Sequence, residues 1–289
     1  MMILLSWLPK VTIEMDPWPR ISIVIPSFNQ GRFIEATLRS LFDQGYPNLE
    51  VLLIDGGSTD NTIEIVQRYA DRLAYWVSEP DEGQTHALIK GFDRATGEIG
   101  GWLCSDDLHE PWTLREVAQF FASHPQAQVV YGDSSWIDID GRPIRPKREH
   151  AFNRFIWTYD YNFIPQPSTF WRMSLYRQVG GLDEAFDLAM DADLWIRFAD
   201  VTCLYHVRRY WSRMRFYPQQ KNQARRAESN AEDRLMRRRY IGDEPLYSLR
   251  AKKVLAKGMR IAWKLATGCY WWGRDNPFAG RRDEASACP

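Results

Sequence analysis

Apolar and polar positions first fall into regular order at residue 21. Ile21 to Ile25 is a short β-branched run closed by Pro26, the pattern of a strand buried on both faces in a parallel sheet. From Gly31 to Gln44 the spacing becomes helical, with Phe33, Ile34, Thr37, Leu38, Leu41 and Phe42 on one side. Val51 to Ile54 is a second buried run, ending in Asp55-Gly56-Gly57-Ser58, and Asp60 stands as N-cap of a helix reaching Tyr69. Leu73 to Val77 predicts a third strand, Gln84 to Ala95 a helix, and Ile99 to Leu103 a fourth strand. This alternation predicts an α/β fold of right-handed βαβ units around a mostly parallel sheet.

The pattern changes after about residue 129. Val129 to Tyr131 and Ser134 to Ile139 read as strands, with Asp140-Gly141 as a hairpin turn. Pro165 to Trp171 reads as extended, and Ser174 to Val179 and Met190 to Ala199 as helices. Beyond Pro218 the chain is polar, basic and helical in propensity. Three parts follow: a lead-in over 1–19 broken by Pro9, Pro17 and Pro19, a main domain over 20–218, and a basic helical extension over 219–289.

Composition narrows the class. With 45% hydrophobic and 26% charged residues, the 289-residue chain can bury a core, which excludes general disorder. No uninterrupted apolar run of about 18 residues occurs, so no spanning helix is expected. Met1 to Leu8 is apolar but lacks a basic start and a small-residue cleavage site, so it does not read as a signal peptide. Cys104, Cys203, Cys269 and Cys288 are far apart, which indicates neither a zinc site nor a disulfide framework and fits a reducing compartment. The net charge is zero but lopsided. Residues 1–200 carry 17 Lys+Arg against 29 Asp+Glu, net −12, and residues 201–289 carry 20 against 8, net +12.

In an open parallel sheet, ligands bind beyond the carboxyl ends of the strands. The first expected strand ends in Pro26-Ser27-Phe28-Asn29, and the next three are followed by carboxylates: Asp55 and Asp60, Asp81, and Asp106-Asp107. Any one of these suits a solvated loop, but three in register point to a site. Adjacent carboxylates leaving a buried strand repel one another and are tolerated most readily beside a hard cation such as Mg²⁺ or Mn²⁺. Asp107 has a second reading as the cap of a helix starting near Glu110-Pro111. Downstream, Asp191 and Asp193 cannot face the same way on one helix, so one can enter a cleft while the other serves the helix.

Several of these motifs, in this order, resemble family 2 glycosyltransferases of the GT-A fold. The resemblance rests on Ile21–Asn29, Glu50–Thr62 and Ser78–Gln84. It continues through Ser105-Asp106-Asp107, Pro165–Phe170, Gly180–Glu184 and Asp191–Arg197, spanning about residues 20–222. It implies an inverting transfer from a nucleotide-diphosphate sugar, in the uridine series, to a hydroxyl acceptor. By position it implies that Pro26, Ser27, Asn29, Asp55, Asp60 and Asp81 hold the nucleoside. Asp107, with Asp106, would bridge Mn²⁺ or Mg²⁺ to the diphosphate, Asp191 would be the base, and Gln166 would lie on the acceptor side. This sequence departs from the family at His86, Ile89, Cys104, Met190 and Tyr217. Tyr217 stands where relatives often carry a metal-assisting His, which leaves His206 as a substitute candidate.

Two rival readings remain at this point: a sugar-phosphate nucleotidyltransferase, for which the glycine-rich loop after the first strand is missing, and a non-catalytic protein keeping the fold. The basic extension is either a solvated helical face or a surface-lying amphipathic helix. In the second reading Leu249, Val254, Leu255, Met259, Trp263 and Leu265 interleave with lysines and arginines before Trp271-Trp272, which suits an anionic membrane surface on the cytoplasmic side. No base-reading motif supports a nucleic-acid partner.

Overall fold

The first strand, β1 (Ile21–Ser27), runs through Pro26 rather than stopping before it. The missing N–H costs nothing there, because the pairing of β1 with β4 ends at Val24 while Pro26 is covered only on the β2 side. The computed structural model describes residues 18–270. The apolar Met1–Leu8 segment, Trp271-Trp272 and Cys288 lie outside the described residues.

Helix α1 (Ile34–Phe42) follows, then β2 (Leu49–Asp55), α2 (Thr62–Gln67), β3 (Tyr75–Ser78), α3 (Gln84–Arg94) and β4 (Ile99–Trp102). These are the expected βαβ units, with β1 parallel to β2 and β4, and β2 parallel to β3. The short β5 (Leu108–His109) and α4 (Thr113–Ser123) lead to β6 (Val129–Ile137) and β7 (Pro143–Lys147). Where two strands were expected, β6 is one, bulged at Gly132-Asp133. A Cβ at Gly132 would lie 2.7 Å from the Arg209 carbonyl oxygen, so glycine permits this close approach.

Helix α5 (Arg154–Tyr159), β8 (Thr169–Arg172), α6 (Met173–Gln178), α7 (Met190–Val201) and β9 (Leu204–Arg215) complete the main domain. Pro165–Ser168 is not extended as expected. Residues Gln166–Ser168 form a 3-10 turn, because Pro165 O accepts from the Ser168 N–H and the Thr169 hydroxyl. The sheet order is β3-β2-β1-β4-β8-β6-β9-β5, with β7 pairing β6. Its parallel character belongs to the first half: β8 is antiparallel to both β4 and β6, and β6 is parallel to β9.

Alternate strand residues feed two cores, one on each face of the sheet. Ile21, Ile23, Ile25, Val51 and Leu53 pack with α1 and α4, whereas Val24, Leu52 and Ile54 pack with α3, α5 and α7. Helices α8 (Lys221–Ala224), α9 (Arg226–Ile241) and α10 (Leu246–Ala266) form the basic extension. They lie on the main domain. Met236 is fully buried in the second core, and Tyr240, Met259 and Trp263 pack against it.

Candidate active site

The end of β4 carries the two adjacent carboxylates, both buried. Asp106, Asp107 and Cys104 each present a ligand atom within 4.8 Å of the others. Asp107 does not cap the following helix, since α4 begins at Thr113; its Oδ1 accepts the Arg215 N–H at 2.8 Å. The Arg215 guanidinium donates to Asp106 O at 2.8 Å and to the carbonyls of Asp138 and Ile139. Tyr217, two residues beyond the end of β9, donates its hydroxyl to Asp106 Oδ2 at 2.9 Å.

Burial pushes both carboxyls above the ordinary aspartate range, Asp107 strongly, with the neighbouring Asp106 charge as its second cause. Burial, then the two aspartates, also raises the Cys104 thiol. Tyr217 is raised by burial and by Asp106, so it stays a neutral donor. The site therefore gathers three acidic groups in a buried corner that disfavours their charged forms, with Arg215 as the cation in contact. His206, the substitute ligand considered from sequence, is elsewhere. It is buried and pairs with Asp133 at 2.9 Å, because β9 places it opposite Tyr131 of β6.

Asp191 and Asp193 separate as the helical spacing requires. Asp193 is fully buried, accepts from Arg197 at 2.8 Å and lies 3.6 Å from Arg239. Asp191, in the first turn of α7, accepts from the Ala192 N–H at 2.7 Å and from Asn162 at 2.9 Å. Burial raises it to about 6, with Asp233 adding repulsion and those two hydrogen bonds opposing the shift. The loop between α5 and β8 reaches Asp191 at one end and the Trp102–Cys104 segment leading to Asp106 at the other. Its Asn162 holds Asp191, while its Gln166 donates to Trp102 O at 2.7 Å and accepts from the Cys104 thiol at 3.6 Å.

The ends of β1, β2 and β3 lie in register, Ser27 beside Asp55 beside Ser78. The Asp55 carboxylate is consumed by its own neighbourhood, accepting from the N–H groups of Gly57 and Ser58 and from the hydroxyls of Ser58 and Ser78. Asn29 takes a positive φ of 52°, accepts from the Thr59 N–H and donates its own N–H to Ser58 Oγ. Asp60 accepts from Gly31 and Thr62. Burial raises its pKa, but these bonds outweigh that and hold the carboxyl below its ordinary value. Asp81 accepts from the Gly83 N–H, and its carboxylate would meet a Cβ at Gly56 at 2.9 Å, so glycine is needed for this approach. Pro26, Ser27, Asn29, Asp55, Asp60 and Asp81 thus share one edge, with Phe28 59% exposed among them.

Sequence reasoning missed the clasp from the extension. Asp187 accepts from Gln84 N–H, Lys221 and Arg225, and Gln84 in turn donates to Cys104 at 3.2 Å. Glu232 of α9 accepts from three consecutive N–H groups, Asp187, Leu188 and Ala189, at 3.0, 2.7 and 3.1 Å. No local pattern marks Glu232, because its partners lie 43 to 45 residues away. Arg215 stands two residues before the Tyr217 already noted, and that was its only signal.

Residues 22–179 match the family model for glycosyl transferase family 2. A PGL/p-HBAD biosynthesis glycosyltransferase of Mycobacterium bovis is 32% identical over 183 residues, 62% of this chain and 69% of that protein. An uncharacterized glycosyltransferase of Rickettsia typhi is 26% identical over 194 residues, 65% of this chain and 61% of that protein. Among solved structures, an S. aureus TarS fragment in complex with UDP-GlcNAc aligns with a TM-score of 0.63 at 18% identity, covering 89% of this chain and 77% of that one. The mannosyltransferase PcManGT from Pyrobaculum calidifontis, in complex with GDP-Man and Mn²⁺, gives 0.57 at 21% identity, covering 89% and 78%. This chain spans 43% of a longer TarS structure. At these identities the structural likeness speaks to the fold, which is of the GT-A type. The matched segment runs from β1 through α6, more than half of the sequence, and the chain belongs to glycosyl transferase family 2.

Proposed function

We propose that the protein is an inverting, metal-assisted glycosyltransferase. It moves a sugar from a nucleotide-diphosphate sugar, of the uridine series, to a hydroxyl of a saccharide or lipid-linked saccharide. The observation that carries this reading is the buried Asp106–Asp107 pair at the end of β4, joined through one loop to a separately held carboxylate, Asp191. The nucleotide sugars bound by TarS and by the mannosyltransferase support a donor of this class.

The chemistry of the donor set fits a divalent cation. Two buried carboxylates repel each other when ionised, and oxygen ligands suit Mn²⁺ or Mg²⁺ better than a soft metal. Asp107, with Asp106, would hold the ion, and Tyr217 and Arg215 keep the pair in place. Bound there, the ion supplies positive charge against the departing nucleoside diphosphate.

The chain's own residues do the rest. Pro26, Ser27, Asn29, Asp55, Asp60 and Asp81 shape the nucleoside edge, where the exposed Phe28 ring offers an apolar face to a base. Gln166 sets the wall on the acceptor side. Asp191 takes the proton of the acceptor hydroxyl as that oxygen bonds to the anomeric carbon and the bond to the diphosphate breaks. One base and one displacement invert the anomeric configuration.

We place this chemistry in surface polysaccharide or glycolipid assembly at the cytoplasmic face of the cell membrane. A thermal-shift screen of nucleotide sugars with Mn²⁺ tests the reading, since a saturating ligand adds about 2–4 kcal/mol. Transfer to a simple acceptor, with the anomeric configuration read by NMR, completes it. Binding without turnover on any saccharide acceptor would favour the non-catalytic alternative, and a retained anomeric configuration would remove the single displacement.

A further inference from the structure

Helix α10 is built inside out. An amphipathic helix on a soluble domain turns its apolar stripe inward and its charges to water. In α10 three of the six basic side chains are paired with carboxylates on or beside the main domain. Lys252 meets Glu244 at 2.5 Å, Arg260 meets Asp160 at 2.5 Å, and Lys264 meets the buried Glu149 at 2.6 Å. Only Ala256, Met259 and Trp263 add an apolar inner contact of note. The outer face carries Tyr247, Val254, Leu255, Ile261 and Leu265, with Tyr247 79% and Val254 74% exposed. Those positions recur at helical spacing, so they make one stripe about 30 Å long and not scattered surface residues.

The flanks of that stripe say what covers it. Arg250, Lys253 and Lys257 are outward, and none makes an ion pair among the described residues. The helix contains no Asp or Glu. An apolar stripe edged by free cations, with no carboxylate to repel an anion, matches the headgroup and upper acyl region of an anionic bilayer. The helix lies too heavily charged to cross, and no helix among the described residues is long and apolar enough to do so.

We infer that the outer face of α10 seats the protein on an anionic lipid surface, with Tyr247, Val254, Leu255, Ile261 and Leu265 entering the interface and Arg250, Lys253 and Lys257 meeting lipid phosphates. This rests on the proposed membrane-side function only for its purpose. The docking face itself is independent of catalysis, and so is its test.

The experiment is co-flotation of the full chain with vesicles of phosphatidylcholine alone or mixed with phosphatidylglycerol, at low and high salt. The variants are Val254→Glu/Leu255→Glu on the stripe, a milder Val254→Ser/Leu255→Ser, and Lys253→Gln/Lys257→Gln on the flank. Near-UV circular dichroism and UDP binding report the fold and the donor site. The expected result is flotation with the anionic vesicles, weakened about tenfold or more by each stripe variant, by the flank variant and by high salt, with UDP binding unchanged. Full-length protein that stays at the bottom with anionic vesicles at low salt overturns the proposal. So do stripe variants that float as well as the parent. A concentration-dependent dimer lost in the stripe variants, without flotation, would assign the face to a second copy of the chain and also overturn it. Loss of transferase activity in every preparation, with flotation intact, would strike the catalytic reading alone.

Discussion

Trp102 of β4 and Trp195 of α7 stack with ring centroids 5.6 Å apart and planes 13° from parallel. The first stands four residues before Asp106 and the second four residues after Asp191. Both are fully buried, and Trp171 packs against the pair at 5.5 and 5.7 Å. The strand that carries the paired carboxylates and the helix that carries the single one are therefore fixed to each other by a rigid aromatic contact. Trp195→Ala should cost about 3–5 kcal/mol in urea denaturation. A cost below about 1 kcal/mol would mean that the two elements are positioned by something else.

Asp191 and Asp193 should separate cleanly when each becomes Asn. Asp191→Asn should lower kcat by about 10²- to 10⁴-fold with donor affinity unchanged, because proton transfer belongs to the transition state. The folded carboxyl titrates at about 6, above its unfolded value, so its favourable contribution to stability is complete in acid and is lost as pH rises through 6. The variant should therefore be more stable than the parent at pH 8, by about 1–3 kcal/mol, and indistinguishable in acid. The parent's kcat should fall on the acid side of pH 6. Asp193→Asn instead unpairs the Arg197 guanidinium and should cost about 2–4 kcal/mol while folded protein keeps its turnover. Steady-state kinetics and melting curves on both variants decide; the reversed pattern moves the base to Asp193.

For the paired carboxylates, Asp107→Asn is the informative change, since an amide oxygen can still accept the Arg215 N–H. Without metal the variant should be more stable by about 1–2 kcal/mol, having lost a buried like charge. With nucleotide present, Mn²⁺ should no longer tighten binding in calorimetry. Undiminished Mn²⁺ dependence in the variant would take the cation away from this corner.

Glu232→Ala leaves three N–H groups ahead of α7 without their shared acceptor. We expect a loss of about 1.5–3 kcal/mol and a fall in kcat that exceeds any change in donor affinity. Equal activity per folded molecule would reduce Glu232 to a purely stabilising role.

Much of this could be read in advance where one local signal sufficed. The apolar runs at residues 21 and 51 announce buried parallel strands, and Asp106-Asp107 after an apolar segment announces an acidic corner. Pro26 misled because a proline stops a strand only where its N–H is needed, and that depends on how far the neighbouring strand reaches. The twelve residues of β9 gave no strand signal. Their Arg209 and Arg213 break the alternation, and the carboxylates that neutralise them, Glu116 and Glu110, are 93 and 103 residues away. The separation of Asp191 from Asp193 was legible from helical spacing, whereas the choice between them needed Arg197 and Asn162 in place.

The Glu232 contact sets an order of events during synthesis. Helix α7 leaves the ribosome more than 30 residues before the side chain that completes its N-terminal turn, a lag of a few seconds at ordinary elongation rates. Through that interval the segment recognisable as the family's shared portion is already made, yet the three N–H groups just ahead of the turn bearing Asp191 still lack their shared acceptor. The nascent chain should thus form the edge around Asp55 before the segment carrying Asp191 is fixed, and removing α9 after a cleavage ahead of it should return the protein to that half-finished condition.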